Sequence, residues 1–349
     1  MPWMYYAARF LAGTSVGGVF AVIPIYVGEI AEDSNRGALG VSMNCFVCTG
    51  LLFSYIVGPF VSIMTFNLML AVFPVLYLVL FFVLAPETLQ HDRGDVKVKI
   101  EERRGTFLDI FRSKGTVKAF IIAVGLMTFQ QFSGINAVLF FAQDIFEAAG
   151  ASLEPEICSI IIGCTQLAAS LLSPPAVERL GRKFLLLLSI IGIIVSEVPL
   201  GVYSYLKDED KDVSGISFLP ILCLVGYIIS YNVGMGPVPW AMLGELFPTN
   251  IKSIASSAVA AFCWFLGFLI TKYFKSVLER IGMGPSFWIF SGCSAVAVPF
   301  FFFYVVETKG KSLREIQDNG ECADVTSSLL AQKLQSLVYF TSDDKLKNP

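Results

Sequence analysis

The sequence predicts an all-α membrane protein with nine spans, on three observations. The 349 residues are 55% hydrophobic and 15% charged, with a mean hydropathy of +0.69, whereas soluble domains carry about a quarter charged residues. The apolar residues fall in long runs, not in the two-residue alternation of a membrane β-strand. The runs also have the length, roughly 20 residues, that a helix needs to cross a hydrocarbon core of about 30 Å. Only helices and closed barrels satisfy their backbone groups there.

The runs lie near 5–28, 38–60, 66–85, 118–146, 156–177, 184–206, 216–244, 253–274 and 285–306. The first carries Arg9, whose charge would cost at least ~2.5 kcal/mol in hydrocarbon and therefore needs a partner. The second carries Cys45 and Cys48, a C-x-x-C with no strand pattern around it and so no redox signature. Most of the eight cysteines fall inside apolar runs, where a thiol behaves as a small hydrophobe, and no disulfide framework is visible. The fourth run contains Gln130, Gln131, Ser133, Gly134 and Asn136; the Ser-Gly pair weakens the helix and predicts a break. The sixth holds Glu197. The seventh carries Gly234, Gly236, Pro237 and Pro239, where two missing backbone donors must distort the helix.

Orientation follows from the 25 Lys and Arg residues, since cytoplasmic loops hold the excess. Alternate segments carry 19 and 5 of them, which predicts a cytoplasmic 86–117 linker and C-terminus. Apolar residues at helical spacing in that linker, Phe107, Ile110 and Phe111, fit short amphipathic helices on the cytoplasmic face, and its interleaved charges fit a solvated connector equally well. An odd span count with an outside start and no export signal predicts that the chain is the later part of a longer protein. The net charge of −3 is too near neutral to argue for nucleic acid, which is not expected as a partner, and the single histidine, His91, excludes a histidine-based metal centre. No nucleophile elbow, phosphate loop, metal cluster or catalytic carboxylate pair is present. No catalytic residue, cofactor or metal is therefore expected, and the oligomeric state is left open.

Two strings at corresponding span ends, PIYVGEIAEDSNRGALG (24–40) and PWAMLGELFPTNIKSIA (239–255), place an acid seven residues before a base: Glu29/Arg36 and Glu245/Lys252. Such internal repetition is a signature of secondary transporters. With RFLAG (9–13), QQFSGIN (130–136), ERLGRK (178–183), GPVPW (236–240) and ETKGKSL (307–313), the chain resembles the sugar porters of the major facilitator superfamily, most nearly the facilitated trehalose transporters.

The resemblance implies a major facilitator fold of twelve helices in two bundles, of which this chain would hold the fourth to twelfth. Residues 1–86 would be the second half of the N-terminal bundle, 87–117 a cytoplasmic linker, 118–306 the C-terminal six-helix bundle and 307–349 a cytoplasmic tail. It implies a plasma-membrane carrier, with the lipid bilayer and a small neutral sugar, trehalose or a hexose, as partners. Facilitated diffusion, proton-coupled symport and sugar sensing without transport are three readings the residues leave open.

A neutral sugar wants side chains that donate and accept without charge, which amides do. Gln130, Gln131 and Asn136 fit that chemistry, and interhelical hydrogen bonding is the competing use of such residues. The resemblance adds Gln166, Asn232, Trp240 and Trp264 to the sugar site, the indoles offering an apolar face and one donor each. Tyr55, Cys263 and Gly267 depart from the glucose carriers, which have amides there. The resemblance also makes Phe140 and Phe141 an outer gate. It makes Glu29, Arg36, Glu178, Arg179, Arg182, Glu245 and Lys252 a cytoplasmic latch of exposed pairs, each contributing on the order of 1 kcal/mol or less.

Overall fold

The computed structural model describes residues 2–32, 35–84, 106–140, 155–216 and 218–309. Among them are nine helical stretches long and apolar enough to cross a membrane, running from Trp3–Val27 to Met283–Phe303. They match the nine runs to within several residues. The elements are α1 (Pro2–Ile30), α2 (Arg36–Val57), α3 (Ile63–Leu84), α4 (Lys114–Phe132), α5 (Ile135–Phe140), α6 (Pro155–Leu180), α7 (Arg182–Asp208), α8 (Leu219–Ser230), α9 (Val238–Leu246), α10 (Thr249–Ile281) and α11 (Met283–Phe303).

Two spans are broken, at the places their residues dictate. The α4–α5 span pauses at Ser133 and Gly134, where Gly134 takes a φ of +79°, a left-handed conformation open to glycine. The α8–α9 span widens into a π-turn over Tyr231–Met235. Pro237 and Pro239 cannot donate to the carbonyls four residues earlier, those of Val233 and Met235. Side chains from other helices replace them: Ser173 Oγ donates to the Val233 carbonyl at 2.8 Å and Gln130 Nε2 to that of Met235 at 2.9 Å. A broken helix is tolerated at membrane depth only where its backbone is re-satisfied in this way.

The core sits among the last six spans, where α7 packs along α11 and α8, and α10 along α4. The α1–α3 helices contribute little to it, and no residue of α3 is buried. The α2 helix docks on α6, and α1 on α9 and α10. These approaches are close: a Cβ on Gly244 of α9 would fall 2.6 Å from the Pro24 carbonyl of α1.

The described part of the linker departs from its expected form. Phe107–Phe111 is a single 3₁₀ turn closed by a capping box between Thr106 and Asp109, and it buries Ile110 completely. Residues 85–105, with most of that expectation, lie outside the described residues. Arg9 lies on an exposed face of α1 rather than inside the bundle.

Candidate functional site

The breaks in the two spans face a common cavity of about 190 Å³ between α1–α2 and the later helices. All seven residues assigned to a sugar site line it: Gln130, Gln131, Asn136, Gln166, Asn232, Trp240 and Trp264. Asn136, Asn232 and Trp240 all lie at or just after the breaks. No Asp, Glu, Lys, Arg or His is among the lining residues. The polar lining is therefore carried by amides, one tyrosine and two indoles.

The amides are not equally free. Gln130 is almost fully buried and spends its Nε2 on the carbonyls of Met235 and Gly236, at 2.9 and 2.8 Å. Gln131 Nε2 donates to Cys263 Sγ at 3.1 Å, while its Oε1 accepts from Asn136 Nδ2 at 2.7 Å. A Cβ on Gly267 would stand 3.3 Å from both Gln131 Oε1 and Asn136 Nδ2. The small residues at 263 and 267 thus leave room for these two amides to face one another. Gln166 differs from all of these: its Oε1 is buried without a hydrogen-bond partner among the described residues. An acceptor left so costs about 1–3 kcal/mol, which a ligand hydroxyl would relieve.

Among the lining residues that sequence reasoning did not assign to the site, Asn44 and Phe20 stand out. Asn44 of α2 donates through Nδ2 to Asn232 Oδ1 at 3.2 Å, and Cys48 Sγ donates to the same oxygen at 3.5 Å, both joining the first three spans to the last six inside the cavity. The signal of Asn44 was a lone amide in an apolar run. Phe20 of α1 sits between the two indoles, with ring centroids 4.7 Å from Trp240 and 5.4 Å from Trp264. One phenylalanine among 31 carries no comparable signal. Tyr55, by contrast, packs against Gly163 and does not line the cavity.

The second cluster lies at one end of the bundle. Arg182 Nη2 meets Glu245 Oε1 at 2.8 Å, and Thr308 Oγ1 donates to Glu245 Oε2 at 2.6 Å. The expectation of exposed pairs is corrected here, since the two charged side chains are only 7% and 3% exposed. Buried pairs follow a different rule: their net worth is small against an apolar replacement, but removing one partner strands the other. The same guanidinium lies against Gly37 of α2, where a Cβ would come within 2.7 Å of Nη2. The cluster therefore packs against the first three spans.

Glu307, quoted in the sequence only as part of a motif, holds the cluster from the C-terminal side. Its Oε1 and Oε2 accept the backbone N–H groups of Arg182 and Lys183, each at 3.0 Å, at the start of α7. Anions are favoured at that helix end by the dipole and the free donors. Arg179 contributes its carbonyl, which accepts from Lys309 Nζ at 2.9 Å, while the side chains of Glu178 and Arg179 are exposed. Lys252 is buried at the start of α10. Phe141 lies outside the described residues, as do the side chains of Glu29, Arg36 and Phe140.

Broken membrane helices around an uncharged polar cavity, with a charged network at one end, define a transporter of the major facilitator fold. The Sugar (and other) transporter family matches residues 1–95 and 92–319, and the chain belongs to that family, which comprises carriers and not enzymes. Its relatives include the "Facilitated trehalose transporter Tret1" of Bombyx mori, 34% identical over 90% of this chain and 68% of that protein. The protein of the same name from Aedes aegypti is 33% identical over 90% of this chain and 43% of its own length. A crystal structure of a double-Trp mutant of XylE superposes with a TM-score of 0.71 at 26% identity, over 84% of this chain and 69% of that one. The chain thus spans about two thirds of one relative's length and under half of the other's.

Proposed function

We propose that the protein carries a neutral sugar, trehalose or a hexose, across the plasma membrane by facilitated diffusion through alternating access. The observation that carries this is the cavity lining: six amides, two indoles and no ionisable charged group around one space between the two sets of spans. Amides match hydroxyls that both donate and accept, and indole faces match the C–H side of a sugar ring. An ionic substrate would lack a counter-charge there. The identities to facilitated trehalose transporters support the choice of substrates.

In this reading residues 1–86 and 118–306 are the two moving parts, 87–117 joins them, and 307–349 is a tail that shares the cytoplasm with the linker. The Arg182–Glu245 network closes the cytoplasmic end while the cavity faces outward, and Phe140 and Phe141 stand at the opposite gate. Glu29, Arg36, Glu178, Arg179 and Lys252 belong to the same cytoplasmic set.

The test is uptake of radiolabelled trehalose and glucose into proteoliposomes beside equilibrium binding of the same sugars. Saturable uptake that continues without a proton gradient is expected. Binding without uptake would make the protein a sensor, uptake that collapses with the gradient would make it a symporter, and neither would remove sugar from the reading. Topology is tested separately: a cysteine introduced at Lys97 should resist an impermeant reagent in intact cells, and its modification there would reverse the orientation.

A further inference from the structure

The α7 helix carries an acid that neither the cavity nor the latch uses. Glu197 is fully buried, and both of its carboxyl oxygens lack a hydrogen-bond partner among the described residues. It stands at the break in the α4–α5 span. A Cβ on Gly134 would fall 3.3 Å from Glu197 Oε1 and 2.9 Å from the Phe290 ring of α11. At the same break the Tyr227 hydroxyl, from α8, donates to the Ser133 carbonyl at 2.8 Å. The carboxyl is therefore packed against the pivot beyond which α5 carries Asn136 into the cavity.

Among the described residues the groups around it supply no counter-charge. The Tyr227 hydroxyl on α8 and the Cys293 thiol on α11 are the titratable groups within electrostatic reach. The 231–235 turn brings Tyr231, stacked on Tyr227. The α6 helix carries the thiols of Cys158 and Cys164. Of its charged residues, Glu178 and Arg179 lie at the latch with Glu245 of α9, and the Glu156 side chain lies outside the described residues. On α7 itself Arg182 is about 22 Å along the helix from Glu197 and Lys207 about 15 Å, at 1.5 Å per residue. One turn beyond Phe290, Ser294 also buries a hydroxyl without a partner.

We propose that Glu197 is a proton-binding site that locks the Gly134 hinge, neutral in the packed break and ionised in a state where the break has opened to water. A carboxylate with no partner in a bundle interior is strongly disfavoured, whereas the neutral acid is tolerated. On opening, the carboxyl O–H bond breaks and its proton passes to the water that enters. The state that holds the proton gains as pH falls, and the open state gains as pH rises. The hinge then senses pH with no sugar bound, independently of the transport reading.

The experiment is hydrogen exchange of peptides covering 130–140 in the full chain, reconstituted in lipid nanodiscs without sugar. Wild type is compared with Glu197→Gln and Glu197→Leu from about pH 5.5 to 8.5, with rates corrected for intrinsic exchange. The wild-type segment should lose protection roughly tenfold across that range, and both variants should stay flat. A flat wild type, or variants that follow it, would overturn the proposal. So would failure of both variants to fold at low pH, because the idea requires a neutral side chain to be accepted at that position. If only one folds, it carries the comparison.

Discussion

The charged end and the cavity treat their polar groups in opposite ways. At the charged end all four carboxylate oxygens of Glu245 and Glu307 accept hydrogen bonds, from Arg182, Lys183, Thr308 and Lys309. In the cavity the polar groups are neutral, several are shared between helices, and Gln166 Oε1 is left open. At the charged end every oxygen of these two carboxylates is paired, and only Arg182 Nε is buried without a partner among the described residues. A region that must take up and release a neutral molecule keeps its bonding capacity partly unspent. Substitutions in each should therefore fail differently, in stability at the end and in affinity at the cavity.

The largest effect is expected from Glu245→Ala, which strands the buried Arg182 guanidinium. The loss should be about 3–5 kcal/mol of stability, read as a lowered Tm of the purified protein. Glu245→Gln keeps an acceptor, so it should instead move the resting population toward inward-facing. Labelling of a reporter cysteine on the cytoplasmic side of the cavity would show this. Unchanged Tm in the first and unchanged labelling in the second would reduce the cluster to a surface feature.

Gln130→Leu blurs the comparison on purpose, since this cavity residue also has a structural task. It would orphan the Met235 and Gly236 carbonyls beside the prolines, at about 1–3 kcal/mol. Both Tm and uptake should fall. A fall in uptake alone would show that water re-satisfies the carbonyls.

Gln166→Leu should separate the two regions most cleanly. It removes an acceptor that nothing in the described structure uses, so Tm should hold or rise. Sugar affinity should drop by about 0.5–1.5 kcal/mol, roughly 2- to 12-fold, measured by equilibrium binding. Unaltered affinity would take Gln166 out of the site. Glu307→Gln keeps one acceptor, turns the other into an amide donor facing a backbone N–H and removes the charge at the start of α7. The charge part of its effect is the smallest in this series, about 0.3–1 kcal/mol, and Tm measured at low and high salt should show that part of the gap between variant and wild type shrinking as salt rises.

Much of this architecture was legible beforehand because its causes are local. Span length and apolar content depend on composition alone, so nine runs could be placed to within several residues. Both helix breaks could be read too, since glycine's tolerance of positive φ and proline's missing N–H act on neighbouring residues. Amides in apolar runs marked themselves by their cost in lipid. Phe20 could not be found in that way: its role comes from two indoles more than 200 residues away in the chain, and nothing in its own neighbourhood differs from other phenylalanines.

By itself the sequence determined which residues are buried in the membrane, where the spans bend and which polar groups must find partners. Only the tertiary structure decided who those partners are. Arg182 and Glu245 are 63 residues apart, Asn44 and Asn232 188, and Glu307 reaches the start of α7 across 125. A helical period of 3.6 residues says which face a side chain shares, but not which helix that face will meet. The same rule explains why the latch was expected to be exposed: burial of an ion pair is set by the neighbouring helices that exclude water, not by the charges that form it.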